Sequence, residues 1–316
     1  MTLQTKINSK YKSMKRKSLV SINDYSKDEI LEILELAKKF EENPNRRILD
    51  GVVVGVLFFE PSTRTRLSFE AAINRMGGRV VGFSDSSSTS TQKGESLKDT
   101  IQTVNQYADL IVMRHPVEGS ARYASEVATC PIINAGDGAN QHPTQCLLDL
   151  YTILQTQNTL DNLNMTFVGD LKYGRTVHSL SIAMTMFNTT FHLVSPFELK
   201  LPSAVKLHIK DKKLPYHQYT DLTQAIPLSD IIYMTRIQAE RFSDPMEYEK
   251  VKNSYVLNRE LLTNAKPGMK VLHPLPRVNE IALDVDDSPQ AYYFKQAQNG
   301  MFVREALIAH MLGLKV

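Results

Sequence analysis

The sequence predicts an α/β fold: two doubly wound parallel-sheet domains with crossover helices, and a C-terminal helix that packs back on the N-terminal domain. Three observations carry this prediction. Short apolar runs rich in β-branched residues alternate with segments of helical period. The alternation stops at a polar stretch, TQNTLDNLN, and then begins again. The chain, at 316 residues, is long enough for two domains of ordinary size.

In the first half, strands are expected at GVVVGVLFF (51–59), RVVGFS (79–84), DLIVMR (109–114) and CPIINA (130–135). Helices fall between them. Phe69, Ile73 and Met76 share one face that stops at Gly77-Gly78, and Leu97, Ile101 and Val104 share another. A third helix, CLLDLYTILQTQ, follows HPTQ. The second half repeats the pattern with MTFVGD (165–170), TFHLVS (190–195), DIIYMTR (230–236) and MKVLHPLPR (269–277). The last segment, AYYFKQAQNGMFVREALIAHMLG, reads as a helix broken near Asn299-Gly300, with an apolar face that needs a partner. These readings divide the chain into a flexible N-terminus (1–16), a first domain (17–152, joined by 290–316) and a second domain (153–289). The Ser/Thr stretch 84–91 reads as a mobile loop.

Hydrophobic residues at 42% and charged residues at 22% exclude a disordered or membrane protein. No apolar stretch approaches membrane-spanning length, and the N-terminus lacks the apolar block of a secretory signal, so a cytoplasmic location is expected. The first seventeen residues carry five Lys and one Arg; with a single Arg and no amphipathic period they read as a solvated terminus rather than a targeting segment. Cys130 and Cys146 are too few for a disulfide framework or a cysteine metal site. A net charge of +3 gives no reason to invoke nucleic acid, but suits anionic substrates if basic residues converge.

In open parallel sheets ligands bind beyond the carboxyl ends of the strands. The residues there are Ser62-Thr63-Arg64-Thr65, Arg114-His115, and the loop GDGANQHPTQ with His142 and Gln145. In the second half they are Lys172 and Arg175, then Arg236 and Gln238, then His273 and Arg277. Several arginines at strand ends imply a ligand set with several negative charges. At 62–65, helix N–H groups, the helix dipole, two kinds of hydroxyl and a bidentate guanidinium all favour a phosphate-like anion. The alternative is that Ser62 or Thr63 simply caps the helix. GDLKYGRT nearly matches a nucleotide phosphate loop, with Arg175 in place of Lys, but Lys172 and Tyr173 are bulky for such a loop. No dinucleotide fingerprint, histidine or carboxylate metal cluster, or G-x-S-x-G elbow occurs. What is left is an enzyme, without cofactor or metal, that works by holding anions and stabilising charge.

Read together, FFEPSTRTRLSFE, QKGES, VMRHP, GDGANQHPTQ, GDLKYGRTVHSL, YMTRIQ and VLHPLPR stand in the order found in the aspartate/ornithine carbamoyltransferase family, which the chain resembles from about residue 17 onward. The resemblance implies transfer of the carbamoyl group of carbamoyl phosphate to the amino group of L-aspartate, in pyrimidine synthesis. It implies that the first domain binds carbamoyl phosphate and the second aspartate. Carried over, Ser62, Thr63, Arg64 and Thr65 hold the phosphate. Thr65, Arg114 and His142 approach the carbonyl oxygen, with Arg64 also in the catalytic set. Gln145, the Leu275 carbonyl and Pro276 complete that site. Arg175, Arg236, Gln238 and Lys93 bind aspartate. The resemblance also implies a homotrimer whose neighbouring subunits donate Ser90 and Lys93, and it leaves regulatory chains open. HPLPR lacks the Cys of the ornithine branch, so aspartate is the expected acceptor. Arg66 receives no such role and is expected to be structural or interfacial.

Overall fold

The computed structural model describes residues 17–44, 46–85, 89–239, 242 and 244–316. The expected flexible N-terminus, 1–16, and residues 86–88 of the Ser/Thr stretch lie outside the described residues. The chain divides into two compact units: the chain through Leu147 with Gly300–Val316, and Leu148–Asn299.

In the first unit, β1 (Val53–Phe58), β2 (Arg79–Phe83), β3 (Leu110–His115) and β4 (Ile132–Asp137) form a parallel sheet in the order β2-β1-β3-β4. β1, β3 and β4 are almost wholly buried, as their continuous apolar runs require. β2 is an edge strand and is largely exposed. The helices are α1 (Lys27–Glu42), α2 (Thr63–Arg75), α3 (Leu97–Val104), α4 (Ser120–Val127) and α5 (Pro143–Gln157). The sequence reading passed over α1, although its start carries a capping box. Ser26 Oγ accepts the Glu29 N–H at 3.2 Å, and Glu29 Oε2 accepts the Ser26 N–H at 2.8 Å.

The second unit holds β5 (Asn164–Val168), β6 (Thr190–Val194), β7 (Tyr216–Tyr219), β8 (Ile231–Met234) and β9 (Lys270–Leu272), all parallel, in the order β7-β6-β5-β8-β9. Its helices are α6 (Arg175–Met184), α7 (Ser203–Asp211) and α8 (Pro245–Val251), and the chain closes with α9 (Tyr293–Leu312). β7 was not foreseen. Its sequence, YHQY, has no β-branched residue, and only its ladder to β6 makes it a strand.

One expectation needs correction. The C-terminal helix is continuous through Asn299-Gly300, because Asn299 turns its amide outward to Thr152 Oγ1 (3.1 Å) and Gln155 Oε1 (2.9 Å) instead of competing for its own backbone. The two compact units meet at 147/148 and 299/300. Polar pairs join the second-unit parts of α5 and α9, where Gln296 Nε2 also donates to Asp149 Oδ1 at 2.6 Å.

Within the first unit, α9 lays Arg304 over the Phe69 ring of α2, and its Nη1 donates to Ser68 Oγ at 3.0 Å. The next residue, Glu305, is 1% exposed, and its Oε2 has no hydrogen-bond partner among the described residues. Burial pushes the carboxyl up to about 7, against the pull of Arg75. A carboxyl whose folded pKa lies above its unfolded one stabilises the fold fully below the unfolded value of 4.5 and loses that contribution as pH rises through about 7. Glu305→Gln should therefore melt a few degrees above the parent chain at pH 8, with the gap closing by pH 5, in paired thermal scans.

Candidate active site

Doubly wound sheets bind ligands where two neighbouring parallel strands send their crossovers in opposite directions. In the first unit that point lies between β1 and β3, and in the second between β5 and β8. Ser62–Thr65 follow β1 and Arg114 lies at the end of β3, and Arg175, Arg236 and Gln238 follow β5 and β8, whereas Ser90, Lys93, His142, Gln145, Leu275 and Pro276 follow the edge strands β2, β4 and β9.

Just past β1, the Phe59 N–H donates to the Arg114 carbonyl at 2.9 Å, so the ends of β1 and β3 stay paired beyond the sheet. The chain then turns into α2. Ser62 stands at its N-cap in an extended conformation and makes no side-chain cap bond. The first helical bond runs from the Arg66 N–H to the Ser62 carbonyl at 3.2 Å, and the N–H groups ahead of it have no intrahelical partner. The Ser62 side chain therefore does not cap the helix. Thr63 and Arg64 are exposed, whereas Thr65 is buried. Arg66 pairs with Glu70 one turn on, Nε to Oε1 at 2.7 Å, which accounts for it structurally.

Arg114 ends β3 half-buried, its Nε donating to Glu60 Oε1 at 2.7 Å and its Nη1 to the Ala135 carbonyl at 3.4 Å. Burial draws its pKa down while the Glu60 charge and hydrogen bond pull it back up. At Arg114 this leaves a cation with a fixed orientation. His115 beside it accepts the Val117 N–H on Nδ1 at 3.0 Å, and burial lowers its pKa.

His142 and Gln145 follow β4 and are both buried. The Gln145 N–H donates to His142 Nδ1 at 3.3 Å. A neutral imidazole that accepts on Nδ1 carries its proton on Nε2. His142 is thereby prepared as a donor. The loop that carries it hangs on Asp137, which sequence reading missed. Asp137 Oδ1 accepts the Asn134 amide (2.9 Å) and the Gln141 N–H (3.2 Å), and Oδ2 accepts the Gly119 N–H (2.9 Å) and the Asn140 amide (3.1 Å). The available signal was two polar residues, Asn134 and Asp137, within an otherwise buried strand.

In the second unit, Gly169 follows β5 at φ +109°, where an added Cβ would lie 2.5 Å from the Thr235 carbonyl oxygen. Thr235 Oγ1 donates to the Val168 carbonyl at 2.8 Å and accepts the Asp170 N–H at 3.0 Å. This stitch joins the ends of β5 and β8. Asp170, fully buried, accepts the N–H groups of Lys172 (3.1 Å) and Tyr173 (2.9 Å) on Oδ1. α6 then opens at Arg175. The nucleotide-loop reading of GDLKYGRT is wrong for this reason: a buried carboxylate takes the N–H groups a phosphate would need, and its charge repels an anion. Arg236 and Gln238 follow β8, half-buried, and Arg236 lines an open cleft with Gly169, Thr235, Tyr248, Lys252 and Glu280.

Leu275 and Pro276 lie beyond β9, Leu275 at φ +54° and Pro276 exposed. Arg277, singled out as a strand-end arginine, is committed elsewhere: both its terminal nitrogens hold Asp286, which also accepts from Tyr293. Ser90 and Lys93 bound a short 3₁₀ turn after edge strand β2, and both are exposed. Among the described residues no group of three or more His, Cys, Asp or Glu side chains could hold a metal ion, and no helix is long and apolar enough to cross a membrane.

The carbamoyl-phosphate-binding domain model of the aspartate/ornithine carbamoyltransferases matches residues 17–155, and the family's aspartate/ornithine-binding domain model matches 161–311. The chain belongs to the aspartate/ornithine carbamoyltransferase family. It is 61% identical over 302 residues to the aspartate carbamoyltransferase catalytic subunit of Bacteroides thetaiotaomicron, covering 95% of this chain and 96% of that protein. Among solved structures, it resembles the catalytic subunit of M. jannaschii aspartate transcarbamoylase (51% identity, TM-score 0.88, 94% and 98% coverage). It also resembles the Trypanosoma cruzi aspartate transcarbamoylase in complex with carbamoyl phosphate and aspartate (37% identity, TM-score 0.88, 97% and 99% coverage).

The His142 geometry makes a direct prediction. Long-range proton–nitrogen spectra should show its imidazole neutral, with the proton on Nε2. Asp137→Asn turns one acceptor oxygen into a donor facing donors, and should broaden that signal or mix its tautomers while most of the spectrum stays in place.

Proposed function

We propose that this chain transfers the carbamoyl group of carbamoyl phosphate to the amino group of L-aspartate, giving N-carbamoyl-L-aspartate and phosphate in pyrimidine biosynthesis. One observation carries the reading. On a chain 61% identical to an aspartate carbamoyltransferase catalytic subunit, each unit gathers a different anion-binding chemistry at its own switch point. The first offers a helix start with Ser62, Thr63, Arg64 and Thr65, suited to phosphate. The second offers Arg175 and Arg236, suited to two carboxylates.

In this reading the phosphate sits on Ser62–Thr65. Thr65, Arg114 and the Nε2–H of His142 donate to the carbonyl oxygen, where negative charge grows as the amine attacks. Gln145, the Leu275 carbonyl and Pro276 hold the carbamoyl end, and Arg175, Arg236, Gln238 and Lys93 hold aspartate. The amine nitrogen bonds to the carbonyl carbon, the bond from that carbon to the phosphate oxygen breaks, and a phosphate oxygen takes the amine proton. No side chain need act as a dedicated base. Holding two anions together without repulsion supplies most of the rate. Arg236 would repel the ammonium of ornithine, and HPLPR has no Cys, so aspartate is the acceptor.

The reading extends to a cytoplasmic homotrimer with shared sites. The exposed edge strand β2, leading directly to Ser90 and Lys93, suits a surface covered by a second copy. The relatives are named catalytic subunits, and regulatory chains would join such trimers.

Two experiments decide this. The purified chain, given carbamoyl phosphate and aspartate, should release equimolar carbamoyl aspartate and phosphate and show no turnover with ornithine; turnover of ATP alone would overturn the assignment. Arg64→Ala and Lys93→Ala chains, each inactive as pure oligomers, should regain part of the parent activity when dissociated and reassembled together. Mixtures that stay dead would refute the shared site.

A further inference from the structure

The segment after β9 is held by a buried pair that the mechanism above does not use. His273 is 2% exposed and Glu280 6%, and His273 Nε2 lies 2.7 Å from Glu280 Oε1. On the other side of the ring, Nδ1 accepts the Leu275 N–H at 2.7 Å. An imidazole that accepts a backbone N–H on Nδ1 is neutral and donates from Nε2. The proton therefore points at the carboxylate. The second Glu280 oxygen accepts the N–H groups of Val278 (3.0 Å) and Asn279 (3.1 Å). The loop 274–277 is thus tied at both ends to one His–carboxylate pair. Burial opposes the Glu280 charge, but the His273 hydrogen bond and the backbone donors outweigh it and hold the carboxyl below its ordinary value.

The pair is itself anchored. The His273 N–H donates to Gln296 Oε1 at 2.8 Å, Gln296 Nε2 donates to Asp149 Oδ1 at 2.6 Å, and Tyr233 OH donates to Asp149 Oδ2 at 2.8 Å. All of these residues belong to the second unit. The chain of bonds ends at Leu275, which occupies the left-handed region at φ +54°, a conformation that a non-glycine residue keeps only where its surroundings impose it. The Leu275 carbonyl lies between two anchors, its own N–H tied to His273 and the Val278 and Asn279 N–H groups tied to Glu280.

We propose that His273 and Glu280 are positioning residues: they hold the Leu275 carbonyl where it accepts from the carbamoyl NH₂, and so let the protein distinguish carbamoyl phosphate from inorganic phosphate. This rests on the carbamoyl-transfer reading. Inorganic phosphate offers no NH₂ group and gains nothing from the pair. The pair acts through Leu275 rather than on the substrate.

The test compares two ligands on one chain. Glu280→Gln keeps the shape but sets an amide N–H against either the His273 proton or the Val278 and Asn279 donors. By calorimetry its Kd for inorganic phosphate should match the parent's, while its Kd for carbamoyl phosphate rises and kcat falls, each by about 10- to 100-fold. His273→Asn retains an acceptor for the Leu275 N–H and loses only Glu280, so it should lose less than His273→Ala; it carries the test if Glu280→Gln fails to fold. If the folded variants keep the parent's ratio of the two dissociation constants, or lose both ligands in parallel with a lower melting temperature, the pair is merely structural and the proposal is wrong. If the parent chain itself binds carbamoyl phosphate no more tightly than phosphate and makes no carbamoyl aspartate, it is the carbamoyl-transfer reading that fails, and the proposal falls with it.

Discussion

Everything functional in this chain depends on the parallel pairing of β1 with β3 and of β5 with β8. In each pair the crossovers leave in opposite directions, so the helices that follow cannot close over both strand ends, and a crevice stays open. Hydrogen bonds continue past the sheet to keep it in shape: Phe59 to Arg114 in one unit, Thr235 to Val168 in the other. The helix start at Ser62 and the arginines beyond β5 and β8 occupy those places because the ladders stop there.

Loops at such strand ends have backbone groups to satisfy and also have to keep their shape. The same device recurs three times. Asp137, Asp170 and Glu280 are each buried and each accepts N–H groups from the loop beside it. A carboxylate that takes several backbone donors fixes a loop without needing a packed apolar side chain in the crevice. The cost of burying its charge is met by those donors and, at Glu280, by His273. His142, Arg175 and Leu275, on or beside those loops, then hold an orientation that their own local sequence would not give them.

Much of the fold was legible because strand-length apolar runs and helical faces carry their periodicity in the residues themselves. Most strands could be placed within a residue or two, but the last, expected over 269–277, ends at Leu272, because the prolines and the His273–Glu280 pair take the chain out of the ladder. β7 escaped because an edge strand of polar and aromatic residues has no such pattern, and the break expected at Asn299-Gly300 failed because a propensity of about 1 kcal/mol yields to packing and to hydrogen bonds across the helix. The hydroxyl and arginine motifs were legible as candidates, since their residue types and strand-end positions already restrict them to anions. Arg277 satisfied the same rule and turned out to be paired with Asp286, a partner nine residues away that no spacing argument identifies.

By itself the sequence determined the class of fold, the family and the chemistry on offer, because composition, period and ordered motifs are local properties of the chain. Only the tertiary structure decided which of those groups are positioned and by what. Asp137 sits five residues before His142, and Glu280 lies five residues beyond Leu275, but whether a carboxylate is exposed or buried among backbone donors depends on distant segments folding over it. Burial decides whether such a group is a solvated charge or a clamp, and burial is a property of the whole fold.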